Sequence, residues 1–212
     1  LGIPVAITVE GANILTRNLM IFGQGATRCH PYVLSEMEAA ANPDEKQGAK
    51  DFDDLLFKHI GHATKNTFGA FGAALTGSKF IKADMSGPTK PYYQDLTRLS
   101  RALAVSADFA MLTLGGELKR KELISARLGD LLSYLYLVSA TLKRYNDEGR
   151  KKEDFALVQW SCQDHLYHCQ RALADLINNM PSAPLRAMLK IMLFPFGRPV
   201  RKPTDKLEHK LA

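Results

Sequence analysis

An acidic residue followed by a glycine, Glu10-Gly11, marks the point where an apolar run gives way to a helical pattern. A carboxyl group buried among apolar side chains has a raised pKa, which suits a general base. The missing side chain of the glycine leaves the neighbouring backbone open to a substrate. An acid also interacts favourably with the N-terminus of a helix, so the residues alone fit a catalytic base and equally a helix-stabilising acid.

Two histidine pairs and two cysteines are the other candidates for chemistry. They are His59 and His62, His165 and His168, and Cys162 and Cys169. The cysteines and His165 share one helix face, a spacing that is compatible with a metal ion. Both cysteines, however, fall on the apolar stripe of their helix, where cysteine behaves as a small hydrophobic residue. Because no fourth ligand is spaced nearby, the sequence predicts packing and no metal site.

The composition is that of a globular protein with a substantial core, since 46% of the 212 residues are hydrophobic and 24% are charged. No apolar run approaches the roughly 18 residues of a membrane-spanning helix, and the first residues show no secretory signal. Three cysteines are too few, and odd in number, for a disulfide framework. We therefore predict a cytoplasmic protein.

The net charge of +6 is concentrated at the C-terminal end. From Arg186 onward there are seven basic and two acidic residues, so the first 185 residues carry only +1. A nucleic-acid interface would spread its charge over a wider surface, and we predict no nucleic-acid partner. Residues 184–202 form a basic amphipathic segment. Such a segment fits contact with an anionic membrane surface, or a last helix whose Lys and Arg side chains extend outward from the bundle.

Apolar residues at helical spacing predict an all-α fold, a helical bundle with a short extended N-terminal lead-in. Residues 3–9 are apolar and β-branched, which is typical of an extended segment. A helix should follow and end at residues 23–25, and a second short helix should follow Pro31. The polar stretch 42–51 is predicted to be a loop. Four long apolar faces then predict an antiparallel bundle; they span residues 52–74, 96–114, 124–142 and 158–176.

The segment VEGANILTRNLMIFGQG, residues 9–25, resembles the C-terminal signature of acyl-CoA dehydrogenases. In that signature a catalytic Glu-Gly-Thr enters a helix that carries Asn and Arg at fixed positions. Four residues match it: Glu10, Gly11, Asn13 and Arg17. Segments such as FDDLLFKHIGH and FPFGRPVRKPTDKLEH are similar to the extra helical region of large bacterial fatty-acid-degrading members. The resemblance therefore covers nearly the whole chain.

The resemblance implies a role for each residue that follows the apolar run. Glu10 would remove the α-proton of an acyl-CoA thioester while the β-hydride passes to FAD. Gly11 would lie against the substrate, and the backbone N–H at the glutamate would polarise the thioester carbonyl. Ala12, Asn13 and Ile14 would line the FAD site. Ala12 stands where the family signature has threonine, so one hydroxyl contact to the cofactor is missing.

The resemblance also implies a domain organisation. Residues 1–41 would end the catalytic helical domain, residues 42–50 would be a linker, and residues 51–212 would form an additional helical bundle with a basic tail. The domains that carry most flavin and CoA contacts would precede Leu1. We therefore expect the isolated chain to bind FAD weakly or not at all and to be inactive.

On this interpretation the chain is the C-terminal part of a FAD-dependent enzyme that converts medium- or long-chain acyl-CoA to trans-2-enoyl-CoA in fatty acid β-oxidation. An electron-accepting flavoprotein and a second copy of the chain, in a homodimer, are the implied protein partners. The alternative is a non-catalytic helical module for dimerisation or for docking on a membrane surface. If residues 184–202 bind lipid, the cytoplasmic protein would be peripheral to the inner membrane.

Overall fold

The computed structural model describes residues 11–17, 23–83 and 87–211, which form helices joined by turns. No strand occurs in these ranges, so the predicted all-α fold is confirmed. The extended lead-in predicted over residues 3–9 lies outside the described residues.

The helices differ widely in length and are named here in chain order. They are α1 Gly25–Cys29, α2 Val33–Ala40, α3 Glu45–Leu75, α4 Lys90–Leu114, α5 Glu122–Asp147, α6 Phe155–Asn178, α7 Ala183–Leu193 and α8 Asp205–Glu208. A 3-10 turn, Gly115–Lys119, joins α4 to α5. Residues 11–17 are also helical and are called the N-terminal segment below. The second short helix predicted after Pro31 is α2, and the four long helices predicted from the apolar faces are α3 to α6.

The centre of the bundle is formed by the apolar faces of α5 and α6, which pack against each other. The turn at residues 148–154 reverses the chain between them, so the two helices are antiparallel. Every residue that the apolar periodicity placed on these two faces is buried. These residues are Ile124, Leu128, Leu131, Leu135, Val138 and Leu142 in α5, and Val158, Cys162, Leu166, Cys169, Leu173 and Leu176 in α6. The predicted core faces of both helices are therefore confirmed.

The other two long helices are layered onto this pair. α4 contacts both α5 and α6, and α3 contacts α4. The predicted apolar face of α3 is buried only toward its C-terminal end, where Ala70 is 1% exposed, whereas Ile60 is 52% exposed. The predicted helix is confirmed, but the N-terminal half of its apolar face is largely uncovered, because periodicity identifies an apolar face but not how much of it a neighbouring helix covers.

Two predicted boundaries also differ from the structure. The stretch 42–51, expected to be a loop, is helical from Glu45 onward. Asp44 begins this helix as its N-cap, since its Oδ1 accepts hydrogen bonds of 3.1 Å from the backbone N–H groups two and three residues later. Gly25, expected to lie at the end of a helix, is instead the first residue of α1.

The basic amphipathic segment contains α7, which packs on α3 and α6. Its buried residues are Leu185, Leu189, Met192 and Leu193. Arg186 projects from the helix and donates a hydrogen bond of 2.7 Å through Nη1 to the carbonyl oxygen of Met180. This is the arrangement expected of a last helix that packs on the bundle.

Among the described helices, α5 is long and apolar enough to span a membrane. The apolar face of α5 is the one that packs against α6. The length and apolar composition of α5 are therefore also those of a helix in the core of a bundle.

Candidate functional site

The residues that the resemblance assigns to substrate and cofactor lie on the N-terminal segment. Gly11, Ala12, Asn13 and Ile14 follow one another on helical backbone and are all exposed. Glu10, the predicted catalytic base, lies outside the described residues. The roles of these five residues therefore stay predictions.

Arg17 attaches the N-terminal segment to the bundle. Its Nη2 donates a hydrogen bond of 3.0 Å to Oδ2 of Asp130 on α5, and its Nε lies 2.7 Å from Oδ1. A pair in which two nitrogens face two oxygens fixes orientation as well as distance. Burial raises the pKa of the Asp130 carboxyl group, and the guanidinium of Arg17 opposes this rise.

Gly129, also on α5, allows the backbone of the N-terminal segment to approach closely. A Cβ atom at this position would lie 2.8 Å from the carbonyl oxygen of Arg17. Because that oxygen belongs to the backbone, it cannot move aside as the end of a flexible side chain would. Gly129 and Asp130 together therefore position the helix that follows the predicted catalytic acid.

A cavity of about 550 Å³ adjoins Gly11. The N-terminal segment, α2 and the junction of α4 with α5 contribute its walls. Six apolar side chains line it: Ile14, Leu15, Val33, Met37, Met111 and Leu118. No sequence pattern predicts this cavity, because its walls come from segments that are far apart in the chain.

A cluster of histidines and carboxylates lies on the other side of α2, where this helix meets α3 and α4. Nε2 of His30 lies 3.2 Å from Oδ1 of Asp108, and Nε2 of His59 lies 3.9 Å from the same oxygen. Nδ1 of His59 lies 2.8 Å from Oε1 of Glu36. His62 adds a third ring, with its centroid 6.0 Å from that of His30. We call these five residues the histidine cluster.

The tautomers in the histidine cluster follow from its hydrogen bonds. Nδ1 of His30 accepts bonds of 3.2 Å from the backbone N–H groups of Tyr32 and Val33 at the start of α2. The ring proton of His30 is therefore on Nε2, facing Asp108. Nδ1 of His59 donates to Glu36, which leaves a lone pair on Nε2 of His59 whenever that ring is neutral.

The charge in the histidine cluster is poorly compensated. Within the described part of the chain, both oxygens of Asp108 are buried without a well-aligned hydrogen bond. Burial raises the pKa of the Asp108 carboxyl group, and the neighbouring His30, His59 and His62 lower it by smaller amounts. Burial also lowers the pKa of His30. Nε2 of His59, 3.9 Å from Oδ1 of Asp108, is too distant to donate a hydrogen bond to this carboxylate.

A bound cation could also compensate the negative charge of Asp108, since ligand atoms of His30, His59 and Asp108 lie within 4.8 Å of one another. The proton on Nε2 of His30 prevents this nitrogen from acting as a ligand, because Nδ1 is already occupied by two donors. Two donor atoms remain, fewer than the three or four protein ligands of zinc sites. We therefore do not interpret the cluster as a metal site, and the sequence-based expectation of no metal stays a prediction.

The histidines and cysteines of α6 behave as the sequence predicted. Cys162 and Cys169 are buried in the core, and burial raises the pKa of each thiol to about 12. Nδ1 of His165 donates to the carbonyl oxygen of Ser161, at 2.6 Å. The predicted packing role of the two cysteines is confirmed. The spacing of His59 and His62 identifies them as a pair on one helix, but no spacing in the sequence could connect them with His30 and Asp108.

Comparison with known proteins identifies the family of the chain. A family model described as acyl-CoA dehydrogenase, C-terminal, bacterial type, matches residues 27–212. No solved structure was found to match the chain. The family match spans α2 to α8, whereas the N-terminal segment precedes it. The chain therefore belongs to the bacterial type of the acyl-CoA dehydrogenase C-terminal family, as its sequence resemblance implied.

Proposed function

We propose that the chain is the C-terminal part of a FAD-dependent dehydrogenase that converts medium- or long-chain acyl-CoA to trans-2-enoyl-CoA in fatty acid β-oxidation. The observation that carries the proposal is the family match over residues 27–212, which begins C-terminal to a Glu-Gly segment of the kind that carries the catalytic base. The family supports the dehydrogenase class; the chain length of the substrate and the pathway belong to the proposal.

In this proposal Glu10 takes the α-proton of the thioester and Gly11 lies against the substrate. FAD, when bound, accepts the hydride from the β-carbon. Ala12, Asn13 and Ile14 would hold the cofactor. Their exposed positions fit this role, since Asn13 offers an amide for hydrogen bonding and Ile14 an apolar side chain that is 48% exposed. Burial beneath substrate and flavin would keep Glu10 away from water and raise its pKa.

The remaining helices support the site. The pairing of Arg17 with Asp130 connects the N-terminal segment to the α5–α6 core. We propose residues 1–41 as the end of the catalytic domain, 42–50 as the linker and 51–212 as the additional bundle, although the first turns of α3 lie within this linker. Most cofactor contacts would come from upstream domains, so the isolated chain should have no measurable turnover.

The test of the catalytic role is Glu10→Gln in the intact enzyme that carries this chain. Loss of a general base lowers turnover by about 10² to 10⁴-fold, while flavin absorbance per protein should remain that of the wild type. Glu38→Gln, a change of an exposed acid on α2, is the matched control and should leave turnover unchanged. Wild-type turnover in Glu10→Gln would contradict the proposal.

Exposed apolar side chains on α3 favour a second candidate function, a non-catalytic module for dimerisation or for docking on a membrane surface. Phe57 is 73% exposed and Phe68 is 72% exposed, and such exposure is typical of surfaces that another molecule covers. Deletion of residues 51–212 from the intact enzyme distinguishes the two functions. If turnover survives the deletion while the oligomeric state or the membrane fractionation changes, residues 51–212 serve as a non-catalytic module.

The partners and location that we propose follow from the dehydrogenase class. Reduced flavin must pass its electrons onward, so an electron-accepting flavoprotein is the expected partner, beside a second copy of the enzyme in a homodimer. We propose a cytoplasmic location, with residues 184–202 as the segment through which the enzyme would contact the inner membrane. Co-sedimentation with anionic vesicles that disappears at high salt would support this contact. Absence of binding to such vesicles would contradict it.

A further inference from the structure

We infer that the cavity beside Gly11 receives the aliphatic chain of the substrate, and that Gly116 limits how long a chain it accepts. The inference rests on the proposed function, because the ligand is the acyl group of the thioester that Glu10 would deprotonate. It adds that helices of this C-terminal region, and not only the upstream domains, determine chain-length preference.

The position of the cavity is the first support. Gly11 follows the predicted base directly and contributes to the cavity wall. A thioester held against the backbone of Gly11 therefore has its acyl group next to the cavity. From there the cavity extends past Ile14 and Leu15 toward the 3-10 turn after α4. The volume of about 550 Å³ lies within the range of small-molecule pockets.

The chemistry of the walls is the second support. Val33 and Met37 come from α2, while Met111 and Leu118 come from the junction of α4 with α5. Each methylene group that moves from water into apolar surroundings strengthens binding about fourfold. Methionine side chains are flexible and polarisable, so they adapt to a chain that can adopt several conformations. Most of the lining surface is apolar, which suits a hydrocarbon chain better than a polar ligand, although four polar residues also line the cavity: Thr27, Lys119, Glu122 and Ser125.

The junction between α4 and α5 has room because it begins with two glycines that line the cavity, Gly115 and Gly116. A Cβ atom added to either would meet no described atom within 4 Å. Gly115 has a φ of 49°, so a side chain there would strain the backbone. Gly116 has no such restriction. It is therefore the position at which the cavity can be filled without altering the turn.

The test is the chain-length profile of Gly116→Leu in the intact enzyme, measured as kcat/KM with acyl-CoAs of increasing length from C4 to C16. We expect the shortest substrates to change less than twofold and the longest to fall at least tenfold, because their terminal methylenes would collide with the new side chain. Gly72→Leu is the matched control. Gly72 also has open space around it but lies on α3 away from the cavity, so its profile should equal that of the wild type.

A second variant fills the cavity from another helix. Met37→Trp changes a residue on α2 that is 57% exposed, so it should disturb folding little, and it should shift the profile in the same direction. If Gly116→Leu loses activity with every substrate, the profile of Met37→Trp decides the question. A wild-type profile in Met37→Trp or in an active Gly116→Leu would overturn the inference and leave the proposed function intact. Failure of the wild-type enzyme to oxidise any acyl-CoA would instead contradict the proposed function.

Discussion

Replacing Asp108 by asparagine should stabilise the folded chain at pH 8. Asp108 is 14% exposed at its side chain, and its oxygens are buried without a well-aligned hydrogen bond among the described residues. The Asp108→Asn side chain has nearly the same shape but carries no charge. Its Oδ1 can still accept the proton of His30 Nε2, which lies 3.2 Å from this oxygen in the wild type.

The expected magnitude follows from the cost of burying a charged group. A buried polar group without hydrogen bonds destabilises the folded state by about 1–3 kcal/mol, and by more when it is charged, whereas a neutral amide is easier to bury. Part of the cost of the carboxylate is already offset by the three histidines around Asp108. We therefore expect Asp108→Asn to raise the free energy of unfolding by about 1–2 kcal/mol at pH 8, which corresponds to about 2–8 °C in Tm for a chain of this size.

The effect should depend on pH with a defined sign. The pKa of Asp108 in the folded state lies above 3.8, so its ionisation destabilises the folded state at pH values above that raised pKa. This destabilisation is lost as the pH falls toward 3.8. The pKa of His30 lies below 6.5, so acidification below pH 6.5 destabilises both proteins. It destabilises the variant more, because the variant lacks the negative charge that favours protonated histidine. The advantage of the variant should therefore shrink between pH 8 and pH 5.

Urea unfolding at pH 8 and pH 5 measures both quantities. Asp175→Asn, a change of an exposed carboxylate on α6, is the control and should alter stability by less than about 0.5 kcal/mol at either pH. A loss of 1 kcal/mol or more in Asp108→Asn at pH 8 would refute the reasoning. It would mean that the charge of Asp108 is compensated by a protonated histidine and stabilises the fold.

Two further predictions concern packing. Gly129→Ala should destabilise the chain by about 1–3 kcal/mol, because its Cβ would lie 2.8 Å from the carbonyl oxygen of Arg17. Gly61→Ala, at an α3 position with open space, is the control and should be neutral or stabilising. Equal Tm changes in the two variants would contradict the close approach of the two backbones. At pH 8 a disulfide reagent should modify the exposed Cys29 quickly. It should modify Cys162 and Cys169 only after unfolding, because both thiols are buried and burial raises the pKa of each to about 12. Equally fast modification of all three thiols would show that the α5–α6 core is open.

The features that could be predicted from the sequence depend on local spacing. Leu128 and Leu166 repeat with their neighbours at intervals of three and four residues, and that regularity is enough to place both on buried faces. The start of α3 does not follow from composition, because Asp44 lies in a polar stretch that is typical of a loop, although an aspartate followed by a helix former is also a cap.

The features that could not be predicted depend on contacts between distant segments. His30 and Asp108 meet only because α2 and α4 are brought together by α3, and no short-range pattern records this. The same holds for Gly129, whose role is visible only from the backbone of Arg17. Ile60 lies on a regular apolar face and is nevertheless exposed, since the extent of coverage is decided by the packing of α3 on α4.

The most direct test of the account is exchange of the α-hydrogens of a bound acyl-CoA with solvent deuterium in the intact enzyme. This exchange reports proton transfer from carbon alone, without the hydride step. We predict that the wild type exchanges the α-hydrogen. In Glu10→Gln, with its flavin still bound, the rate of this exchange should fall by at least 10²-fold. Exchange at the wild-type rate in Glu10→Gln would contradict the assignment of Glu10 as the base.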